Sequence, residues 1–69
     1  MSAGPVRVNG LDVDVAPDAD LASVVASVSV QTRGIAVAVN GLVVPRGAWP
    51  DTPVRGGDVV EVVTAVQGG

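Results

Sequence analysis

Apolar and polar residues alternate on both sides of an Asn-Gly pair in the segment 6–15, near the start of the chain. Because Asn-Gly readily adopts the positive φ angles of a type I′ turn, this segment is predicted to form a β-hairpin. Its apolar positions are predicted to share an inner face, which comprises Val6, Val8, Leu11, Val13 and Val15. Arg7, Asp12 and Asp14 then face outward, and we interpret the two aspartates as a solvated strand face rather than a paired-carboxylate site.

A helical period follows Pro17. Apolar residues recur at the i, i+3, i+4, i+7 spacing of one helix face, at Leu21, Val24, Val25 and Val28. Asp20 stands directly before them and is predicted to cap the free N–H groups of the first turn. Asp18 and Asp20 also resemble the start of a calcium loop, but no further ligand series follows, so capping is favoured. The helix is predicted to run about three turns and to end before Arg33-Gly34, with Gly34 in the left-handed conformation.

A second Asn-Gly pair separates two more predicted strands. The first, at residues 35–39, alternates large with small residues rather than apolar with polar ones. If the larger side chains Ile35, Val37 and Val39 pack under the helix, Ala36 and Ala38 line a smooth opposite face that a partner can approach closely. The second strand, at residues 42–44, is ended by Pro45.

Residues 45–58 are rich in proline and glycine, which predicts an irregular connection. Trp49 lies in its middle. A lone Trp in such a loop is usually a packing anchor, and the alternative is a partner-facing hot spot.

The chain closes with a valine-rich strand that begins at Val59 and contains one charged residue, Glu61. Because Glu61 is not easily buried, its neighbours Val60 and Val62 are predicted to point to the core. Val59 and Val63 then share the outer face with Glu61. Together with the small alanines, Val63 suggests an apolar docking patch.

The last three residues are Gln67, Gly68 and Gly69. Glycine packs poorly and loses much backbone entropy when ordered, so we divide the chain into a single domain, residues 1–66, and a flexible tail, residues 67–69. Any chemistry at this end is expected on the carboxyl group of Gly69. A frayed, inert terminus is the alternative.

The composition narrows the classes of function. The chain of 69 residues has a net charge of −3, no lysine, no histidine and no cysteine, so we expect neither nucleic-acid binding nor a bound metal or cofactor. No apolar run approaches the roughly 20 residues of a membrane span. We therefore expect a cytoplasmic protein without membrane partners, and one that is not itself an enzyme because bases and nucleophiles are scarce.

The predicted order ββαββ, an irregular crossing and a last strand is the layout of an α+β, ubiquitin-like β-grasp fold, with a mixed sheet of about five strands packed on one helix. Several segments in register resemble the ThiS family, the sulfur carriers of thiamine biosynthesis. They are G-I-A-V-A-V-N at residues 34–40, V-V-P-R at residues 43–46, Trp49, G-D at residues 57–58 and the closing Gly-Gly.

The resemblance implies a protein substrate with several partners. In this family a ubiquitin-activating-like adenylyltransferase uses ATP to adenylate the terminal carboxylate, here that of Gly69. A sulfur donor, a cysteine desulfurase or similar, then yields a thiocarboxylate, from which thiazole synthase takes the sulfur. Gly68 and Gln67 would thread the tail into these enzymes, and the docking candidates are Val63, Ala36, Ala38 and Val59.

Three alternatives stay open at this point. One is another β-grasp sulfur carrier, such as the small subunit of molybdopterin synthase or a carrier for cysteine synthesis. A second is a ubiquitin-like modifier joined to lysines by isopeptide bonds. A third is a plain binding module with an inert tail.

Overall fold

The computed structural model describes residues 4–28 and 34–64, and for Thr64 only the backbone. Within these residues the chain forms five strands, one α-helix and one 3₁₀ helix. The strands are β1 (Val6–Val8), β2 (Leu11–Val13), β3 (Ile35–Val39), β4 (Leu42–Val44) and β5 (Val59–Thr64), the α-helix is α1 (Leu21–Val28), and the 3₁₀ helix spans Arg46–Asp51.

The strands form one mixed sheet in the order β2-β1-β5-β3-β4. The last strand lies in the centre, parallel to β1 and antiparallel to β3, while β1–β2 and β3–β4 are antiparallel hairpins. The helix covers one face. This is the predicted α+β β-grasp arrangement, so the fold prediction is confirmed.

Both hairpins turn at the predicted Asn-Gly pairs. Asn9 and Asn40 each have φ of 52°, and the following Gly10 and Gly41 have φ of 84° and 86°. A type I′ turn requires positive φ at both central positions. Asn tolerates positive φ, and Gly adopts it without steric cost. The two-residue turns therefore fix the register of both hairpins.

The core lies between α1 and the inner face of the sheet. Its buried residues are Val6, Val8, Leu21, Val24, Val25, Val37, Trp49, Val54 and Val60. Asp20 caps the helix as predicted, since its Oδ1 accepts a hydrogen bond of 2.8 Å from the Ser23 N–H. Gly34 has φ of 72°, the left-handed conformation that was predicted. Residues 29–33, over which the helix was predicted to end, lie outside the described residues.

Trp49 is the anchor of the connection between β4 and β5. Its side chain is 4% exposed and its Nε1–H donates a hydrogen bond of 2.9 Å to the Val44 carbonyl. The packing interpretation is confirmed. The prediction of a wholly irregular connection was wrong, because Arg46–Asp51 form a 3₁₀ helix that packs against α1 and carries Trp49 into the core.

One residue of the predicted inner face of the hairpin and one of the predicted apolar face of the helix are exposed. Leu11 pairs with Val8 and so points to the helix side of the sheet, but it is 70% exposed because it lies at the turn end of the edge strand β2. Val28, 41% exposed, is the last described residue of α1 and lies beyond the buried part of that helix. Each of the two predicted apolar faces therefore includes one residue that the core does not cover.

Candidate docking face and C-terminal strand

The candidate site lies on the face of the sheet opposite α1, which we call the outer face. Strand β5 supplies its central row, because alternate side chains of a strand point to opposite faces. Val60 is fully buried beneath the helix, whereas Glu61 is exposed and Val63 is 59% exposed. Val59, 41% exposed, lies on the same side. The orientation predicted from Glu61 is confirmed for all these residues.

Strand β3 brings the two small residues next to this row. Ala36 is paired with Val63, and Ala38 is paired with Glu61. Ala36 is exposed and Ala38 is half-buried. The four docking candidates, Val63, Ala36, Ala38 and Val59, therefore lie on one continuous surface of two neighbouring strands.

Val43 extends this surface and was missed from the sequence. It is paired with Ala38 across the β3–β4 hairpin and is 74% exposed. The run Leu42-Val43-Val44 is apolar throughout, so it contains no polar residue that reveals which side faces water. The sequence nevertheless indicated its position, because a two-residue Asn-Gly turn pairs Val43 with Ala38 and so places Val43 on the outer face.

The other side of the outer face is polar. The Arg7 Nε lies 3.5 Å from the Asp12 Oδ1, and the two side chains are 60% and 61% exposed. Arg7 is paired with Val59 in the parallel β1–β5 ladder. Beside this pair a shallow cleft is lined by Pro5, Gly57 and Asp58 in addition to Arg7, Asp12 and Val59. The apolar surface thus has a charged border.

Both turn asparagines hold the central strand. The Asn9 side chain accepts a hydrogen bond of 2.8 Å from the Val62 N–H and donates one of 3.1 Å to the Val62 carbonyl. At the start of β5 the Asn40 side chain accepts a hydrogen bond of 2.9 Å from the Val59 N–H and donates one of 3.1 Å to the Asp58 carboxylate. Each hairpin turn therefore fixes one part of the strand that leads toward the C-terminus.

Gly69, which is predicted to carry the chemistry, lies outside the described residues. So do Gln67 and Gly68, which are predicted to thread the tail, and the domain boundary predicted at residue 66. Among residues 4–28 and 34–64, no group of three or more His, Cys, Asp or Glu side chains is placed to hold a metal ion. In the same part of the chain no helix is long and apolar enough to cross a membrane.

The fold and the sheet surface define a small protein of the β-grasp class with an exposed apolar face on its sheet. The sequence model of the ThiS family matches residues 6–69. The chain therefore belongs to the ThiS family.

Two solved structures of thiamine biosynthesis proteins have similar folds. One is the crystal structure of the thiamine biosynthesis protein ThiS from Geobacter metallireducens, with 29% sequence identity and a TM-score of 0.81. The match covers 94% of this chain and 99% of the other. The other is the solution structure of a thiamine biosynthesis protein from the same organism, with 31% sequence identity and a TM-score of 0.71. That match covers 94% of this chain and 86% of the other. None of the curated proteins matches the chain.

Proposed function

We propose that this protein carries sulfur for thiamine biosynthesis as a thiocarboxylate on Gly69. The observation that supports this most strongly is that the ThiS match extends over residues 6–69, so it includes both the domain and the closing glycines. The similar structures from Geobacter metallireducens bear the names of thiamine biosynthesis proteins. We further propose that the sulfur goes to the forming thiazole ring and that the transfer takes place in the cytoplasm.

In the proposed reaction the chain is a substrate. A carboxylate oxygen of Gly69 attacks the α-phosphorus of ATP and pyrophosphate leaves, which gives an acyl-adenylate. A sulfur nucleophile from a persulfide donor then attacks the carbonyl carbon and AMP departs. Reductive cleavage of the sulfur–sulfur bond by a thiol leaves the thiocarboxylate. Adenylation matters because a carboxylate is a poor electrophile, whereas an acyl-adenylate has a good leaving group.

The partner enzymes supply the catalytic groups and bind the ATP. They are a ubiquitin-activating-like adenylyltransferase, a sulfur donor such as a cysteine desulfurase, and a thiazole synthase that accepts the sulfur. The sequence has no cysteine, histidine or lysine with which to perform these steps itself. Gln67 and Gly68 serve to thread Gly69 into the enzyme active sites, since glycine has no side chain to obstruct a narrow channel.

We assign docking to the outer face. Val59, Val63, Ala36 and Ala38 form an apolar surface on the strand that leads to the tail and on its neighbour. Exposed contiguous apolar surface on a small domain commonly marks an interaction site. A partner that covers β5 at this face lies beside the point where the chain continues toward Gly69.

Intact-protein mass spectrometry tests this function. The purified protein is incubated with ATP, its cognate adenylyltransferase and a sulfur donor. We expect an adenylate adduct first and then a mass increase equal to the replacement of one oxygen by one sulfur, localised to the C-terminal peptide. A protein lacking Gly69 is the control, and it should gain neither mass while its Tm stays unchanged because a terminal residue contributes little to packing.

Three results would contradict the proposal. One is the absence of both species on the full chain. Another is sulfur on the protein that lacks Gly69. The third is the accumulation of isopeptide conjugates to lysines of other proteins, which would favour a ubiquitin-like modifier.

A further inference from the structure

We propose that Glu61 is recognised by an arginine or lysine of the adenylyltransferase when that enzyme docks on the outer face. This inference rests on the proposed function, because it specifies the chemistry of the partner surface that covers β5. It adds to the apolar contact one charged residue, Glu61, which determines which partner surfaces can bind.

Glu61 has apolar neighbours on its own strand and on β3, whereas the β1 side of β5 carries the polar residues Arg7 and Asn9. On its own strand the next residues on the same face are Val59 and Val63, both exposed. Across the sheet it is paired with Ala38, which in turn is paired with Val43. A partner that buries these apolar side chains therefore also covers the carboxylate of Glu61.

Arg7 lies on the outer face next to β5 and already contacts an acid. Arg7 is paired with Val59, so it lies diagonally from Glu61, at a separation that long side chains can span. Its guanidinium instead lies 3.5 Å from Asp12. Within residues 4–28 and 34–64 this is the one ion pair closer than 4.0 Å, so Glu61 presents its charge to a partner.

Covering a carboxylate without a counter-charge is costly. A charge removed from water loses its hydration, and it is tolerated in an interface when an opposite charge with hydrogen bonds replaces the water. A cationic group of the partner opposite Glu61 meets this requirement. It also directs association, because complementary charges raise the encounter rate while neutral or acidic surfaces are rejected. The net charge of −3 acts in the same direction.

The small residues around Glu61 make such a contact sterically possible. Ala38 is half-buried and Ala36 is exposed, and neither projects far above the sheet. A long arginine or lysine side chain can therefore lie along β3 with its stem against apolar surface and its charged end at Glu61, as such side chains commonly do.

The test measures ATP–pyrophosphate exchange by the cognate adenylyltransferase with three variants of the full-length protein. Glu61→Gln removes the charge with little change of shape, and Glu61→Lys reverses it. Asp51→Lys is the matched control, because Asp51 is an exposed acid on the 3₁₀ helix packed against α1, away from the outer face. All three should keep the wild-type circular dichroism spectrum and Tm.

We expect Glu61→Lys to raise KM for the carrier protein at least about tenfold with kcat within about twofold of wild type, because the charge acts in docking and not in chemistry. Glu61→Gln should raise KM about threefold to tenfold and flatten its dependence on salt. Asp51→Lys should stay within about twofold of wild type.

Equal effects of Glu61→Lys and Asp51→Lys would overturn the inference, since they would show a general charge effect. An unchanged KM for Glu61→Gln would also overturn it, because the charge would then contribute nothing to recognition by the enzyme. Failure of the proposed function itself is distinguishable, since the wild-type chain would then form no adenylate.

Discussion

Valines occur on both faces of the sheet, but they are buried on one face and exposed on the other. On the inner face Val60 and Val37 are 0% and 1% exposed beneath α1, whereas on the outer face Val63 and Val43 are 59% and 74% exposed. Val60 and Val63 even belong to the same strand. The comparison teaches that valine content identifies the strand, while the position of one glutamate, Glu61, separates the residues that stabilise the fold from those that are free to bind.

The outer face keeps apolar residues exposed in a chain of only 69 residues. A domain of this size buries only about 60% of the surface that its unfolded chain exposes, so each apolar residue left outside the core reduces the stabilisation that burial can give. The valines that stay exposed on one face are the observation on which the proposed docking rests. The border formed by Arg7 and Asp12 limits that surface on the β1 side.

The largest expected effect concerns the inner face. Trp49→Ala should lower the free energy of unfolding by about 3–5 kcal/mol, because it empties a buried aromatic site and removes the hydrogen bond to the Val44 carbonyl. Urea denaturation followed by circular dichroism measures this. Trp49→Phe is the control, and it should cost less because most of the ring volume remains. A loss below about 1 kcal/mol for Trp49→Ala would place this side chain outside the core.

The sharpest version of the comparison uses the same substitution on two faces of β5. Val60→Ala should cost about 2–3 kcal/mol, because it removes two buried methyl groups and leaves a cavity. Val63→Ala should change stability by less than about 0.5 kcal/mol because its side chain is exposed. Conversely, Val63→Ala should raise KM for adenylation. If both variants lose equal stability, the division between the two faces is wrong.

A smaller effect is expected where a turn holds the central strand. Asn9→Gly keeps the positive φ of the turn and removes the two side-chain hydrogen bonds to Val62, so it should cost about 1 kcal/mol. Hydrogen exchange of the Val62 amide should become faster. Asn9→Asp keeps the acceptor and should protect this amide better than glycine does. Unchanged exchange in Asn9→Gly would show that these bonds do not hold the strand.

Most of the fold and the orientation of β5 in the site follow from short-range patterns. The Asn-Gly pairs predict both hairpins because few other dipeptides adopt two successive positive φ angles, and Glu61 predicts the orientation of β5 because a carboxylate is costly to bury. Leu11 and Val28 were assigned wrongly because periodicity gives the direction of a side chain and not the extent of the neighbouring layer.

Other features depend on tertiary contacts. The 3₁₀ helix around Trp49 forms in a segment with several prolines and glycines, where packing against α1 decides the conformation. Val43 was missed since its strand contains no polar residue. The hydrogen bonds from Asn9 and Asn40 to β5 join residues distant in sequence, so no local pattern reveals them.

The most direct test of the central claim is the mass of the C-terminal peptide of this protein isolated from its own cells. The account predicts a fraction of peptide ending at Gly69 that is heavier by the difference between one sulfur and one oxygen and that disappears when the cognate adenylyltransferase is absent. Peptide that carries only an ordinary carboxylate, under conditions in which the cells make thiamine, would contradict the account.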